Sequence, residues 1–387
     1  MQNNSRCVDS YSTTFDSFPM MLGYHKELSQ NSEWTQCPIK ELGVEPLDRR
    51  SEAFANMDMF AEGVSEEAVE DTAENLGLAL RLNGSLYPLR TTAYKSLLDR
   101  AKINGTALPK LPRKDLADIL NACFNVHKEQ RALVLVRGEK ATAVHSGDER
   151  DYSVLPIDEL LETLQSKLDE RFPGNEFKEG YSDYSISGAT WSMPKQKEDL
   201  LGTYSRTLAL HGKTSVAKNL VPGIQFITSD TGMASAKVAA LLMGDQNPIH
   251  IGSCLAVDHR RQMKVVDFEE ALDQLFAQFG DNIKNLQKLL DIQLDYPINA
   301  MTRICKKLVM PKKEAVEAIA MFEMAFGDGP ATAHDVFMGM QEIPYLLKLR
   351  QFRRAFSCPT RYLTCQVDFR FCFQIRARFL FCFSLYI

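Results

Sequence analysis

The chain has 387 residues, 45% of them hydrophobic and 25% charged, the proportions of a globular protein with core enough for two or three domains. Its 45 basic and 50 acidic residues leave a net charge of −5, which excludes a surface coated in phosphate-binding side chains. The balance is uneven: residues 1–180 carry 21 Lys/Arg against 30 Asp/Glu and residues 181–387 carry 24 against 20, so a polyanion would approach the second half.

No apolar run reaches the ~20 residues a membrane helix needs. The stretch Met1 to Cys7 lacks the basic start and apolar core of a signal peptide, so a cytoplasmic protein is expected. Nine cysteines without a C-x-x-C pair read as free thiols in a reducing compartment, neither a disulfide framework nor a zinc cassette.

Residues 1–45 are rich in Ser, Asn, Gln and Thr without periodicity, which predicts a disordered arm. Residues 46–130 read as an N-terminal helical segment. Ser65-Glu66-Glu67-Ala68 looks like a capped start and Asn83-Gly84 a stop. Helices are predicted over Thr91 to Ile103 and Asp115 to Phe124 from their apolar spacing. An α+β core follows over 131–265. Ala132 to Val136, a turn at Arg137-Gly138-Glu139-Lys140, and Ala141 to Val144 make a hairpin candidate near 132–146. Ile157 to Leu168 is an amphipathic helix, and strands are predicted near 181–193, 222–229, 234–243 and 249–258. Residues 266–350 are helical, punctuated by Pro297, Pro311 and Gly327-Asp328-Gly329-Pro330. Strands in the middle and helices at both ends predict an α+β fold with a central, mostly antiparallel sheet and a C-terminal helical bundle. The tail 355–387 breaks with this composition. It has seven Phe, four Cys and four Arg but no Lys, Glu or Gly, and reads either as one half-buried strand or as an out-of-frame, non-native end.

Several motifs invite chemistry and fail its requirements. Asp230-Thr231-Gly232 spells the aspartic-protease triplet, but that reaction needs two carboxylates about 3 Å apart and no second triplet exists. Gly212-Lys213-Thr214-Ser215 matches the last half of a phosphate-binding loop, yet Thr207 stands where its first glycine should. His250, Cys254, Asp258 and His259 have metal-ligand residue types. The alternation of Ile249, Ile251, Leu255 and Val257 argues for a strand, which sets residues four apart roughly 13 Å from each other. No catalytic constellation, metal site or cofactor is predicted.

Basic residues give the stronger signal. Arg260, Arg261 and Lys264 follow the last predicted strand, Lys284 and Lys288 share a helix face, and Arg303, Lys306 and Lys307 cluster before Lys312-Lys313. If they converge they form a groove for a phosphate backbone, with Tyr181, Tyr184, Trp191 and Tyr204 as candidate stacking surfaces. The alternative is that the charges are solvated helix faces and the aromatics are core.

The order of parts resembles the phage/plasmid-like domain-of-unknown-function family of mobile genetic elements. The resemblance rests on Leu111-Pro112 with Leu116, Ile119, Leu120 and Asn121, and on Leu135-Val136-Arg137-Gly138 followed by Ala143-Val144-His145-Ser146. It continues through Tyr152 and Leu155-Pro156-Ile157 to Pro222-Gly223-Ile224 and Ser229-Asp230-Thr231-Gly232. It covers about residues 78–347, and it departs from the family pattern at Thr228 and at Gly252-Ser253-Cys254-Leu255. The resemblance implies a cytoplasmic accessory protein of recombination-type transactions with no established reaction or cofactor. The expected function is non-enzymatic nucleic-acid binding or single-strand annealing, with modulation of a host defence or restriction enzyme as the alternative. Expected partners are single-stranded DNA or another nucleic acid, a host or element-encoded protein, or a second copy of the chain.

Overall fold

A computed structural model of the protein describes residues 6–147, 151–214, 219–245 and 247–347. It is an α+β fold whose strand pairs, in all four of its described sheets, run antiparallel. In chain order the strands are β1 Ser12–Phe15, β2 Ser32–Pro38, β3 Gly43–Pro46, β4 Leu78–Leu82, β5 Ser85–Pro88, β6 Arg131–Arg137 and β7 Lys140–Ser146. They continue as β8 Glu176–Asp183, β9 Ser187–Ser192, β10 Val221–Thr228, β11 Ala236–Met243, β12 Ile249–Val257, β13 Gln293–Leu294 and β14 Ala331–Thr332.

Six strands make the main sheet in the order β1-β8-β9-β10-β11-β12, a meander to which the N-terminal β1 adds one edge. One face carries the alternate apolar residues Trp191, Ile224, Phe226, Val238, Ala240, Leu242 and Ile251, all buried. Against them lie helices Ile157–Arg171, Lys197–Leu210 and Val265–Lys288, through Leu160, Leu164, Leu201, Leu208, Phe268, Leu272 and Phe279. Trp191 is wholly buried, and its indole N–H donates to Gln165 Oε1 at 2.8 Å, so the largest core side chain also meets its one polar need. A smaller lobe holds two three-stranded sheets, β2-β6-β7 and β3-β4-β5, around helices Ala93–Ala101 and Arg113–Val126 with a core of their own.

The first 45 residues are no disordered arm from Arg6 onward. They supply β1, helix Phe18–Gln30, β2 and β3. Polar edge strands of four to seven residues show little apolar period, which is why composition reads as a loose tail. The segment 46–130 is not purely helical either. Asn83 and Gly84 have φ of 53° and 90° and form the two-residue turn of the β4–β5 hairpin, where the same dipeptide also serves as a helix stop in sequence. The hairpin β6–β7 pairs with β2, outside the main sheet. The expected single strand over 181–193 is two, β8 and β9, joined at Tyr184 to Ile186. Helix Lys197–Leu210 is not foreseen by the sequence reading, and it places Gly212-Lys213 after a helix rather than after the strand a phosphate-binding loop needs. The 355–387 segment lies outside the described residues.

The N-terminal segment is fastened by charge. The Asp9 carboxylate accepts from Arg90 Nη1 (3.3 Å), Lys140 Nζ (3.2 Å) and the Thr91 N–H (2.7 Å), while Asp71 takes a second bond from Lys140. Arg90 also lies 3.5 Å from the centre of the Tyr184 ring on the main sheet. Arg90 is 2% exposed and Lys140 fully buried, so neither cation can turn to water if Asp9 is lost. Asp9→Ala is therefore expected to destabilise the fold by about 3 kcal/mol in urea unfolding, against a few tenths for an exposed carboxylate such as Asp281→Ala paired at the surface with Lys284.

Candidate functional site

Ser229-Asp230-Thr231-Gly232 is the turn that leaves β10, and it sits where the two lobes meet. The Ser229 hydroxyl accepts from the backbone N–H of Thr231 (3.3 Å) and Met233 (3.2 Å), closing the turn on itself. Gly232 has φ of 74°, and a Cβ there would stand 3.0 Å from His145 Cε1. Both its backbone angle and its neighbour require glycine.

Asp230 forms a salt bridge with Arg137, at the end of β6 and 93 residues away in sequence. The guanidinium is 9% exposed; its Nε donates to Ser32 Oγ at 2.8 Å, whose hydroxyl donates on to Leu28 O at 2.5 Å. From the other side the Tyr152 hydroxyl donates to the Asp230 carbonyl at 2.5 Å. Helix Phe18–Gln30, β2, β6, the 151–156 connection and the main sheet thus converge on one carboxylate. Burial by itself raises the Asp230 carboxyl, but the charge and hydrogen bond of Arg137 outweigh it and hold the group below the ordinary carboxylate range. Arg137 in turn has burial against it and Asp230 for it, and stays charged.

A stack of rings flanks the pair. His145 lies 3.6 Å from Tyr152, centre to centre and nearly parallel, and Tyr152 lies 5.3 Å from His259; half-buried Trp34 packs on the outer side at 5.8–6.0 Å. His259 Nδ1 lies 3.2 Å from the Ser153 carbonyl, which only accepts, so the proton sits on Nδ1 and Nε2 is a bare acceptor. Nε2 of His25 and of His145 is likewise buried without a partner. Burial pushes His25 and His145 down to about 4 and His259 below its ordinary value, so all three are neutral near pH 7. The adjoining crevice, lined by His25, Arg137, Ser182, Ser187, Ser229 and Asp230, is too tight to admit a water molecule.

This arrangement holds lobes together and offers no route to proton-transfer chemistry on a substrate. Asp230 faces a guanidinium where a protease needs a second carboxylate. Among the described residues no three His, Cys, Asp or Glu side chains could hold a metal ion. His250 and Cys254 lie on strand β12, with Asp258 and His259 just beyond its end. Cys37 and Cys305 are buried thiols pushed up to about 11 by burial, and therefore poor nucleophiles.

The basic residues singled out in sequence are all exposed: Arg260, Arg261, Lys264, Lys284, Lys288, Arg303, Lys306 and Lys307. They do not form one groove. Lys264 and Lys284 stand at opposite ends of helix Val265–Lys288, about 30 Å apart at 1.5 Å per residue. Lys284 and Lys288 are engaged locally by Asp281 and Asn285. Arg303, Lys306 and Lys307 occupy the last turns of Pro297–Lys307. The cluster that stays together is Arg260, Arg261 and Lys264, on the turn between β12 and the long helix. Arg261 and Gln262 have φ of 62° and 59°, two consecutive left-handed residues. Asp258 accepts from Ser235 Oγ and Asp267 from the Lys264 N–H at 2.7 Å, and among the described residues the two arginines have no ion-pair partner. Of the aromatics proposed for stacking, Tyr184, Trp191 and Tyr204 are buried in the core, and Tyr181 is 38% exposed with its hydroxyl on Asp183. Half-buried Trp34, at the outer end of the ring stack, is the aromatic that sequence reasoning passes over; its strand β2 carries no apolar period to flag it.

No protein-family model matches the chain, and no curated protein or solved structure is significantly similar to it.

Two outcomes follow from the buried cluster. Arg137→Met strands Asp230 in a crevice without water and should lose about 3–5 kcal/mol in denaturant unfolding, most of it regained in Arg137→Met/Asp230→Leu. In acid, His25 and His145 bind protons in the unfolded chain near pH 6.5 but in the folded chain only near 4. Their contribution is intact above about pH 6.5 and is lost as pH falls toward 4, by about 3 kcal/mol each at the low end, whereas the depressed Asp230 matters only below its unfolded value near 4. Urea midpoints measured from pH 7.5 to 4.5 should fall steeply, and His25→Gln/His145→Gln should flatten that slope.

Proposed function

We propose that the protein is a non-enzymatic nucleic-acid-binding protein that grips the phosphate backbone of a single strand at the Arg260–Lys264 turn. One observation carries this reading: Arg260, Arg261 and Lys264 are three exposed cations within five residues, and the two nearest carboxylates are already engaged with a hydroxyl and a backbone N–H. They stand at the N-terminus of a 24-residue helix, whose dipole adds positive potential where a phosphate would sit. Nearby Trp34, half-exposed at the end of the Tyr152 stack, gives a base one ring to lie against. Membership of the phage/plasmid-like family of mobile elements is part of the same proposal. It is supported by the order of the Leu111–Asn121, Leu135–Ser146 and Pro222–Gly232 segments, and it favours a role in recombination or strand annealing.

Binding of a labelled oligodeoxythymidylate, titrated at several salt concentrations, tests the proposal. Arg260→Glu/Arg261→Glu/Lys264→Glu should weaken binding at least tenfold and lower the magnitude of the log–log salt slope by about 2, near 0.7 per lost phosphate contact. Lys284→Glu/Lys288→Glu, at the far end of the helix, should leave the slope nearly unchanged. Absence of binding to single- or double-stranded DNA or RNA at low salt contradicts the reading and turns attention to a protein partner.

A further inference from the structure

We propose that the solvent face of helix Lys312–Phe326 is a dimer seam, on which a second copy of this chain packs antiparallel about a two-fold axis at Ala320. The helix buries Ala315, Ala318 and Phe322 against helices Pro297–Lys307 and Ala333–Met340, and Gly339 opposite leaves room for the Phe322 ring. A helix so placed ordinarily turns charged residues to water on its other side. Here the centre of that side is Lys313, Val316, Ala320 and Met324, at spacings of three, four and four, which form a single stripe. Val316 is 59% and Met324 89% exposed, and Met321 and Phe326 flank them at 43% and 50%.

The residue just ahead of the helix points the same way. Val309 ends helix Pro297–Lys307 in the left-handed region, with φ of 53°, and is 75% exposed. A β-branched residue is a poor occupant of that conformation, where Gly or Asn is usual. An apolar side chain held there in water extends the stripe at its N-terminal end.

The charges select the occupant. Lys312 and Lys313 open the helix, and Glu323 and Asp328 lie at its far end; among the described residues none of the four has an ion-pair partner. Along the axis Lys312 and Asp328 are each eight residues from Ala320, about 12 Å on either side. An antiparallel second copy therefore brings its Asp328 to Lys312 and its Glu323 within reach of Lys313, and seats its Met324 on Val316. A parallel copy would set lysine against lysine. The small Ala320 at the axis lets the two backbones approach closely. The surface is self-complementary in the way a two-fold interface demands. One fifteen-residue helix a side falls below the standard interface size, so the dimer is a weak one, dissociating at roughly micromolar concentration.

Sedimentation velocity of the full chain from about 1 to 200 µM tests this. The wild type should shift from monomer to dimer across that range. Val316→Glu/Met324→Glu should remain monomeric throughout, with an unchanged circular dichroism spectrum and melting temperature. Lys312→Glu/Lys313→Glu and Glu323→Lys/Asp328→Lys should each dimerise at least tenfold more weakly alone and regain wild-type association when mixed. A wild type that is monomeric at every concentration overturns the proposal. So does a folded Val316→Glu/Met324→Glu variant that dimerises like the wild type, or failure of the mixed charge variants to associate.

Discussion

The salt bridge between Asp230 and Arg137 is the contact on which the rest of the structure depends. It joins the turn after β10, in the main sheet, to the end of β6, in the smaller lobe, and both partners are almost out of water. An ion pair in such a place is worth little relative to two apolar residues of the same shape, but a great deal relative to either partner alone. That asymmetry specifies register. Any slip of β6 against β2, or of the β10 turn against Tyr152, leaves a charge without its counter-charge. The pair therefore selects one docking of the lobes among many that apolar packing would tolerate.

A second network repeats the device at the other end of the contact. Asp9 and Asp71 neutralise Arg90 and Lys140, and Arg90 lies on the Tyr184 ring of the main sheet. Since Asp9 directly precedes the edge strand β1, the same segment that extends the main sheet also plugs a charged hole in the smaller lobe. With the carboxylate of Asp230 and the three histidines consumed in this way, the groups nearest the tetrad serve architecture. What the architecture leaves to solvent is the tip beyond His259. There the backbone runs through two left-handed residues and carries cations that nothing nearby neutralises.

The legible parts of the sequence are those with a strong local period. The three apolar runs around Ser229–Gly232 are β10 to β12, and the four C-terminal helices fall close to where Pro297, Pro311 and Gly327 divide them. The Ser65 cap is present, its Oγ accepting from the Ala68 N–H at 3.3 Å. Less legible are elements whose burial is lent by distant partners. β1 and β2 are polar edge strands, and Asn83-Gly84 is ambiguous between hairpin turn and helix stop until its partner strand is known. The tetrad is recognisable as a turn in sequence, but its partners Arg137, His145, Tyr152 and His259 come from separate segments, and no spacing rule connects them. One trace was visible: Arg137 closes an otherwise apolar strand, where a charge with no partner would be expensive. The basic residues mislead for the opposite reason. Read as a list they suggest one groove, and only the length of helix Val265–Lys288 shows that they occupy separate ends.

The account separates a buried polar hub that fixes the lobes from an exposed basic turn that meets the ligand. Hydrogen exchange of the full chain, with and without saturating oligodeoxythymidylate, tests that division most directly. Slowed exchange confined to the turn 258–264 and the first turn of the following helix, with the Arg303–Lys307 region unchanged, is the predicted result. Protection centred on Arg303–Lys307, or none at all despite binding, would contradict it.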